Sequence, residues 1–364
     1  MTRKDHDPID DALVLHEQAK QYQAQYDLEN AELCCREALQ RSEQIEGDKH
    51  PDVANVLNDL SAILSQRGKY REAADGAARS AAIMQEIGHL VDGPEGQLIY
   101  IQALTALGTA QRQLGEYSEA ESSFRAALER SEAVFPEDAE RISTALNNLA
   151  VLYKYTGKFD EAAALYRRAL ELSIQAHGEM SPSVATIYHN VGGLAHARGR
   201  FEEGEPWSRK AYEIRRSLLG EDHPETAADA AALAGVLDGL GRYQESLKLY
   251  DQAIATFERV YGPEHYEIAV NLNNLASVQQ AQGRPEEAEG LYRRAVVMKE
   301  KLLGADHPDT ALSIYNLGTL LREQGDYREA QRLFVRALAI FERVLVPDHP
   351  KVQACRESLK SMVE

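Results

Sequence analysis

Apolar residues recur along this chain in steps of three and four. Leu146, Leu149, Ala150 and Tyr153 precede Gly157, and Leu165 and Leu172 follow it, the spacing of helices that bury one face. The helical stretches break at glycines of constant interval: Gly115, Gly157, Gly199, Gly241, Gly283 and Gly325 each stand 42 residues from the next. Gly68 comes 47 residues before Gly115, which places five extra residues near Gly88 to Gly96, where glycine and Pro94 cluster. A still earlier unit carries Tyr26 in the glycine slot.

Side-chain size follows the same clock. Two residues after the glycine stands a ring (Tyr70, Tyr117, Phe159, Phe201, Tyr243, Tyr327), with Pro285 as the exception. Five after it stands a small residue, nine after it an aromatic in five units, and twelve after it an alanine in six. These offsets predict two helices per unit. The glycine ends the first in a left-handed turn, the small residues let the second lie close against it, and the rings fill the space between.

A second mark separates the units: Gly220-Glu221-Asp222-His223-Pro224, Gly262-Pro263-Glu264-His265, Gly304-Ala305-Asp306-His307-Pro308 and Pro347-Asp348-His349-Pro350. Proline fits the first turn of a helix and forces the residue before it out of helical geometry, so these are helix starts. The pattern predicts an all-α array: a disordered tail over residues 1–8, about eight helix pairs over 9–349, and a capping helix over 350–364.

Leu-Asn-Asn-Leu-Ala at 146–150 and 272–276, Gly-x-aromatic-x-Glu-Ala at 115–120, 157–162 and 325–330, Leu-Tyr-Arg-Arg-Ala at 165–169 and 291–295, and Leu-Gly-x-Asp-His-Pro at 219–224 and 303–308 resemble the tetratricopeptide repeats of kinesin light chain. The resemblance covers nearly the whole chain. It implies a right-handed superhelical solenoid of antiparallel helix pairs whose first helices line a concave face, and an adaptor style of recognition of short protein segments. It does not imply a motor, since the heptads that bind a heavy chain are missing. A HEAT or armadillo array has a similar period but lacks the Gly-x-aromatic-x-x-small signature.

Composition narrows the function classes. The net charge of −18 over 364 residues repels nucleic acid and anionic bilayers. Three cysteines, two of them the adjacent Cys34 and Cys35, draw no disulfide framework and point to a reducing, cytoplasmic setting. No apolar run reaches the ~18 residues of a membrane span. The sequence holds no phosphate-binding loop, dinucleotide fingerprint, nucleophile elbow or zinc-protease motif, so no catalytic residue and no cofactor is expected. His223, His265, His307 and His349 recur every 42 residues, but equivalent loops lie a helix pair apart, on the order of 10 Å, too far to share a metal whose donors sit at about 2 Å.

The remaining chemistry is an amide series on the first helices. Asn148, Asn190, Asn274 and Asn316 share one slot, with Ala232, Asp59 and Ala106 replacing the amide in other units. An amide both donates and accepts, which suits holding the backbone of an extended peptide; the same groups also suit bonds between neighbouring helices. The preceding slot holds Asn147, Asn273 and His189, and one turn further stand Lys154, His196, Gln280 and Arg322, of which Lys154 and Arg322 are suited to acidic groups on a ligand. The sequence therefore predicts a non-catalytic scaffold that takes a protein or peptide partner in a concave groove. The alternatives are a sensor subunit that controls a partner enzyme on ligand binding, and a solenoid that associates with copies of itself.

Overall fold

The computed structural model describes residues 8–87 and 93–362. The expected tail lies outside these residues apart from Pro8, as do residues 88–92 of the expected insertion. Among the described residues there are seventeen helices and no strand. The chain divides into two compact units, Met1–Asn148 and Leu149–Glu364.

The first unit contains α1 (Pro8–Ala24), α2 (Leu28–Glu46), α3 (Pro51–Gln66), α4 (Tyr70–Glu86), α5 (Pro94–Gln113), α6 (Tyr117–Val134) and the first part of α7 (Ala139–Tyr155). Helix α5 is 20 residues long, whereas α3 has 16. Part of the irregular spacing is thus one added helical turn.

The second unit holds the end of α7, then α8 (Phe159–His177), α9 (Pro182–Ala197), α10 (Phe201–Leu219), α11 (Pro224–Gly239), α12 (Tyr243–Tyr261), α13 (Tyr266–Ala281), α14 (Pro285–Leu303), α15 (Pro308–Glu323), α16 (Tyr327–Val344) and α17 (Pro350–Lys360). Successive first helices touch one another, α9 to α11, α11 to α13, α13 to α15 and α15 to α17. They form the crowded inner row. Accordingly α15 buries residues on nearly every side, while the preceding second helix α14 buries a single stripe of Ala288, Tyr292, Ala295 and Lys299. The inner row also returns on itself. His349 Nε2 lies 3.2 Å from the Tyr155 carbonyl, 194 residues earlier in sequence, so the start of α17 meets the first turn of this unit.

The turn glycines do what their spacing predicts. Gly157 has φ +79° and Gly325 φ +89°, and Tyr26, in the slot without glycine, is held at φ +60°. A residue with a Cβ in that region costs about 1–2 kcal/mol, so the turn itself, not the residue, dictates the backbone here. Close helix approach is equally literal at Gly192, where an added Cβ would lie 3.1 Å from the backbone nitrogen of Ser208.

The rings two residues past the turn are not uniformly buried. Phe201 packs onto α11 at Gly239, where a Cβ would come within 2.3 Å of the ring. Tyr327, by contrast, is 62% exposed. Helix α17 nonetheless caps the last pair, burying Val352, Cys355 and Ser358.

The recurring histidines are helix caps. Nδ1 of His223, His265, His307 and His349 accepts the backbone N–H of Glu225, Glu267, Asp309 and Lys351 at 3.2, 3.3, 3.0 and 3.1 Å, and His50 does the same for Asp52 at 3.3 Å. Each imidazole thus satisfies one of the amides that every helix start leaves open. The cysteines are free thiols. Burial pushes Cys35 and Cys355 up to about 12, which leaves little thiolate for redox chemistry.

Candidate binding grooves

In the second unit the inner helices bring three successive asparagines into one hydrogen-bonded line. Asn316 on α15 donates to Asn273 Oδ1 of α13 at 3.2 Å, and Asn273 donates to Asn274 Oδ1 at 3.3 Å. Asn274 in turn bonds the Tyr250 hydroxyl of α12. Asn273 and Asn190 are buried, while Asn274 and Asn316 are half-buried. The amide series is therefore continuous across repeats over α13 and α15, and interrupted at Ala232 on α11.

Beside this line is a cavity of about 410 Å³ lined by Ser277, Gln280, Ala281, Tyr292, Tyr315, Asn316, Thr319 and Glu323. Three residues after the amide slot, α9, α11, α13 and α15 carry Gly193, Gly235, Ser277 and Thr319, and the last two line the cavity. Gln280 donates to Glu323 at 2.6 Å and accepts from the Tyr292 hydroxyl at 3.2 Å.

The row one turn further on is chemically mixed. Lys154 lies against Gly193, where a Cβ would stand 3.2 Å from its Nζ. Burial and then the Lys154 ammonium lower the pKa of His196. Arg322 sits over the Phe334 ring at 5.8 Å and reaches Ser361 Oγ at 3.5 Å. The sequence reading passed over the member on α11, Asp238. Among the described residues no hydrogen bond or ion pair reaches its carboxylate, and burial raises its pKa to about 6. Its signal was present as the 42-residue companion of His196 and Gln280.

His189 is held by a buried charge network. Its Nδ1 lies 2.7 Å from Asp229, whose other oxygen accepts from Arg215 Nε at 2.6 Å; Arg215 also bonds Glu225 and Thr186. The Asp229 side chain is 1% exposed, so this is an internal tie between α9, α10 and α11. Lys299, two repeats after Arg215 in the same slot of the second helices, repeats the device. It is 2% exposed and donates to the Asp309 carbonyl at 3.3 Å. The Asp309 carboxylate accepts from Tyr266 at 2.5 Å. Burial alone would raise the Asp309 pKa, but the Lys299 and Lys351 charges hold it below the usual range.

Asn147 and Asn148 end the first unit. There the inner slot runs through Asp59 on α3 and Ala106 on α5, and both residues line a cavity of about 670 Å³ between α3, α5 and the start of α7. Asp59 meets His16 Nε2 at 2.7 Å. Buried Asn58 donates to the Ile99 carbonyl at 3.0 Å. Among the described residues no group of His, Cys, Asp and Glu is arranged to hold a metal ion, and no helix is long and apolar enough to cross a membrane.

Comparisons with known proteins agree with this architecture. No curated protein matches the sequence significantly. Among solved structures, the Rap conjugation gene regulator of plasmid pLS20, in complex with the Phr* peptide, is 14% identical over 96% of this chain and 97% of its own, with a TM-score of 0.65. BtubC (BKLC) from P. vanneervenii is 23% identical over 65% of this chain and 92% of its own, at a TM-score of 0.50. Nearly identical TPR-like repeats of kinesin light chain kind from Podosopora anserina are 25% identical over 57% and 97%, at 0.43. The tetratricopeptide-repeat profile matches residues 10–86, 100–175, 183–257, 228–301 and 273–343, and a second profile of the same description matches 147–218. The chain belongs to the tetratricopeptide-repeat family.

Proposed function

We propose that this protein is a non-catalytic scaffold that holds an extended segment of a partner protein against its inner helices. The tetratricopeptide fold is in general a protein-interaction fold, and the similar Rap structure was solved in complex with a peptide. The observation that carries the reading here is the line Asn316, Asn273 and Asn274 beside an open polar cavity. Amides on a rigid row meet the repeating donors and acceptors of a peptide backbone whatever its side chains, at a net ~0.5–1.5 kcal/mol for each bond. Asn190 extends the row in the same unit, Lys154 and Arg322 flank it, and Asn147 and Asn148 offer the same groups at the end of the first unit. The protein acts in the cytoplasm, a setting that suits three free thiols.

The test replaces Asn148, Asn190, Asn274 and Asn316 by alanine and compares partner capture, identified by mass spectrometry, with thermal melting. The expected outcome is at least a tenfold loss of capture. Stability falls only by the interhelical bonds removed, ~1 kcal/mol each. Unchanged capture with lowered stability would assign the amides to repeat packing alone.

A second reading, a sensor that controls a partner enzyme, is favoured by the closure of the second unit. Where His349 meets Tyr155, a ligand that spreads the inner row must break that contact, and the change reaches the far end of the unit.

A further inference from the structure

In the first unit α3 packs against α5, and the inner helices present the same slots of the repeat to one space. Asn58 and Thr105 each stand ten residues before their turn glycine, and Ala62 and Thr109 six before. Gln102 of α5 and Thr144 of α7 share a third slot. All six line the cavity of about 670 Å³, a size within the roughly 300–1,000 Å³ of pockets that enclose a ligand. The charges of this wall are already answered. Asp59 meets His16 at 2.7 Å and Lys20 at 3.6 Å, and Asp138 accepts from the backbone N–H, Nε and Nη2 of Arg141 at 3.0, 3.1 and 3.0 Å. Glu140, the remaining charged residue of the lining, is exposed.

The rest of the polar wall is hydroxyl and carboxamide. Asn58, 5% exposed, gives its Nδ2 to the Ile99 carbonyl, and its Oδ1 has no donor partner among the described residues. Neutral groups that both donate and accept match an uncharged ligand, whereas an ion brought among them would lose solvation without gaining a counter-charge. Equivalent slots on touching helices recur on the order of 10 Å apart, about three residues of extended chain at ~3.3 Å each. Three helices therefore span about six residues of an extended segment. We propose that this cavity takes an extended, uncharged stretch of about six small residues, serine, threonine, alanine and glycine in the main, from a partner protein. The inference rests on the peptide reading for the class of ligand. It adds a selectivity that the asparagine line, indifferent to side chains, does not supply: the stretch over α3, α5 and α7 carries no charge.

The experiment passes three pools of end-blocked octapeptides over the immobilised full chain: one of Ser, Thr, Ala and Gly, one with two of those residues replaced by Lys, and one with two replaced by Asp. Retained peptides are identified by mass spectrometry, and the most enriched neutral one is labelled and titrated by fluorescence anisotropy. Ala62→Leu and Thr144→Leu fill the cavity from α3 and from α7. Both positions are exposed, and melting curves check that the variants are folded. The expected result is at least fivefold greater retention of the neutral pool than of either charged pool, and at least tenfold weaker binding of the neutral peptide by each filled variant. Equal retention of the three pools, or neutral-peptide binding unchanged in both variants, overturns the proposal. The two readings fail separately. Partner capture lost in the four-asparagine variant, with peptide binding indifferent to Ala62→Leu and Thr144→Leu, refutes the cavity alone; neutral peptides held in the cavity, with partner capture intact in the four-asparagine variant, refutes the asparagine reading and leaves the cavity standing.

Discussion

Close packing of α9 on α10 makes Gly192 a quantitative test of the repeat geometry. An alanine Cβ there would stand 2.1 Å from Ser208 Oγ, 3.1 Å from Ser208 N and 3.2 Å from Ser208 Cβ. The hydroxyl can rotate away, but the backbone nitrogen and Cβ move only if the two helices separate. Gly290, inside α14, has nothing within 4 Å of the same added atom. Both substitutions gain the same intrinsic helix propensity, about 1 kcal/mol for alanine over glycine. Only Gly192→Ala also suffers overpacking, typically 1–3 kcal/mol. Gly290→Ala should therefore raise stability by up to about 1 kcal/mol, and Gly192→Ala should fall below it by roughly 1–3 kcal/mol. Urea denaturation followed by far-ultraviolet circular dichroism measures both on the same baseline, with equal slopes confirming that the same surface unfolds. Adding Ser208→Ala removes the shortest contact and should recover part of the loss. Equal stability of Gly192→Ala and Gly290→Ala would refute the close helix crossing.

Two further outcomes follow from individual residues. His349 is held down to about 4, from 6.5, by burial and then by the Lys351 charge; the unfolded chain therefore protonates first as pH falls, and the stability present above pH 6.5 is lost on the way down to 4. At about 1.4 kcal/mol per pH unit this group contributes on the order of 3 kcal/mol across that window. His349→Asn keeps a capping acceptor without the titration and should flatten the acid side of the stability curve; identical pH profiles for the two proteins would contradict the assignment. Tyr26 sits at φ +60°, so Tyr26→Gly should be more stable than Tyr26→Ala by about 1 kcal/mol, measured by thermal melting, and the reverse order would show that the turn is not strained.

How much of this was legible beforehand depended on whether a feature is local. Glycine spacing gave the turns and proline gave the helix starts, because each acts through its own backbone; even Tyr26 was assigned the turn slot that its left-handed conformation occupies. The histidines were visible as a period but not as caps, since the capping bond depends on the imidazole folding back onto an amide two residues ahead. Arg215 and Lys299 were not legible as buried cations. They share their slot with Phe257 and Phe341, and their partners Asp229 and Asp309 belong to the next repeat, whose stagger only the folded array fixes. The bond between His189 and Asp229 was not legible either, since it too crosses from one repeat to the next. Asp238 was missed because its row reads Lys, His, Asp, Gln, Arg, with no common chemistry to betray the one member left without a partner.

Hydrogen–deuterium exchange on the full chain, with and without a peptide selected for binding, tests most directly whether the inner helices are the receiving surface. The account predicts added protection in α13 and α15 around Asn274, Gln280 and Asn316, with α12, α14 and α16 unchanged on their outer faces. Protection confined to those second helices, or absent from the whole inner row while the peptide is bound, would contradict it.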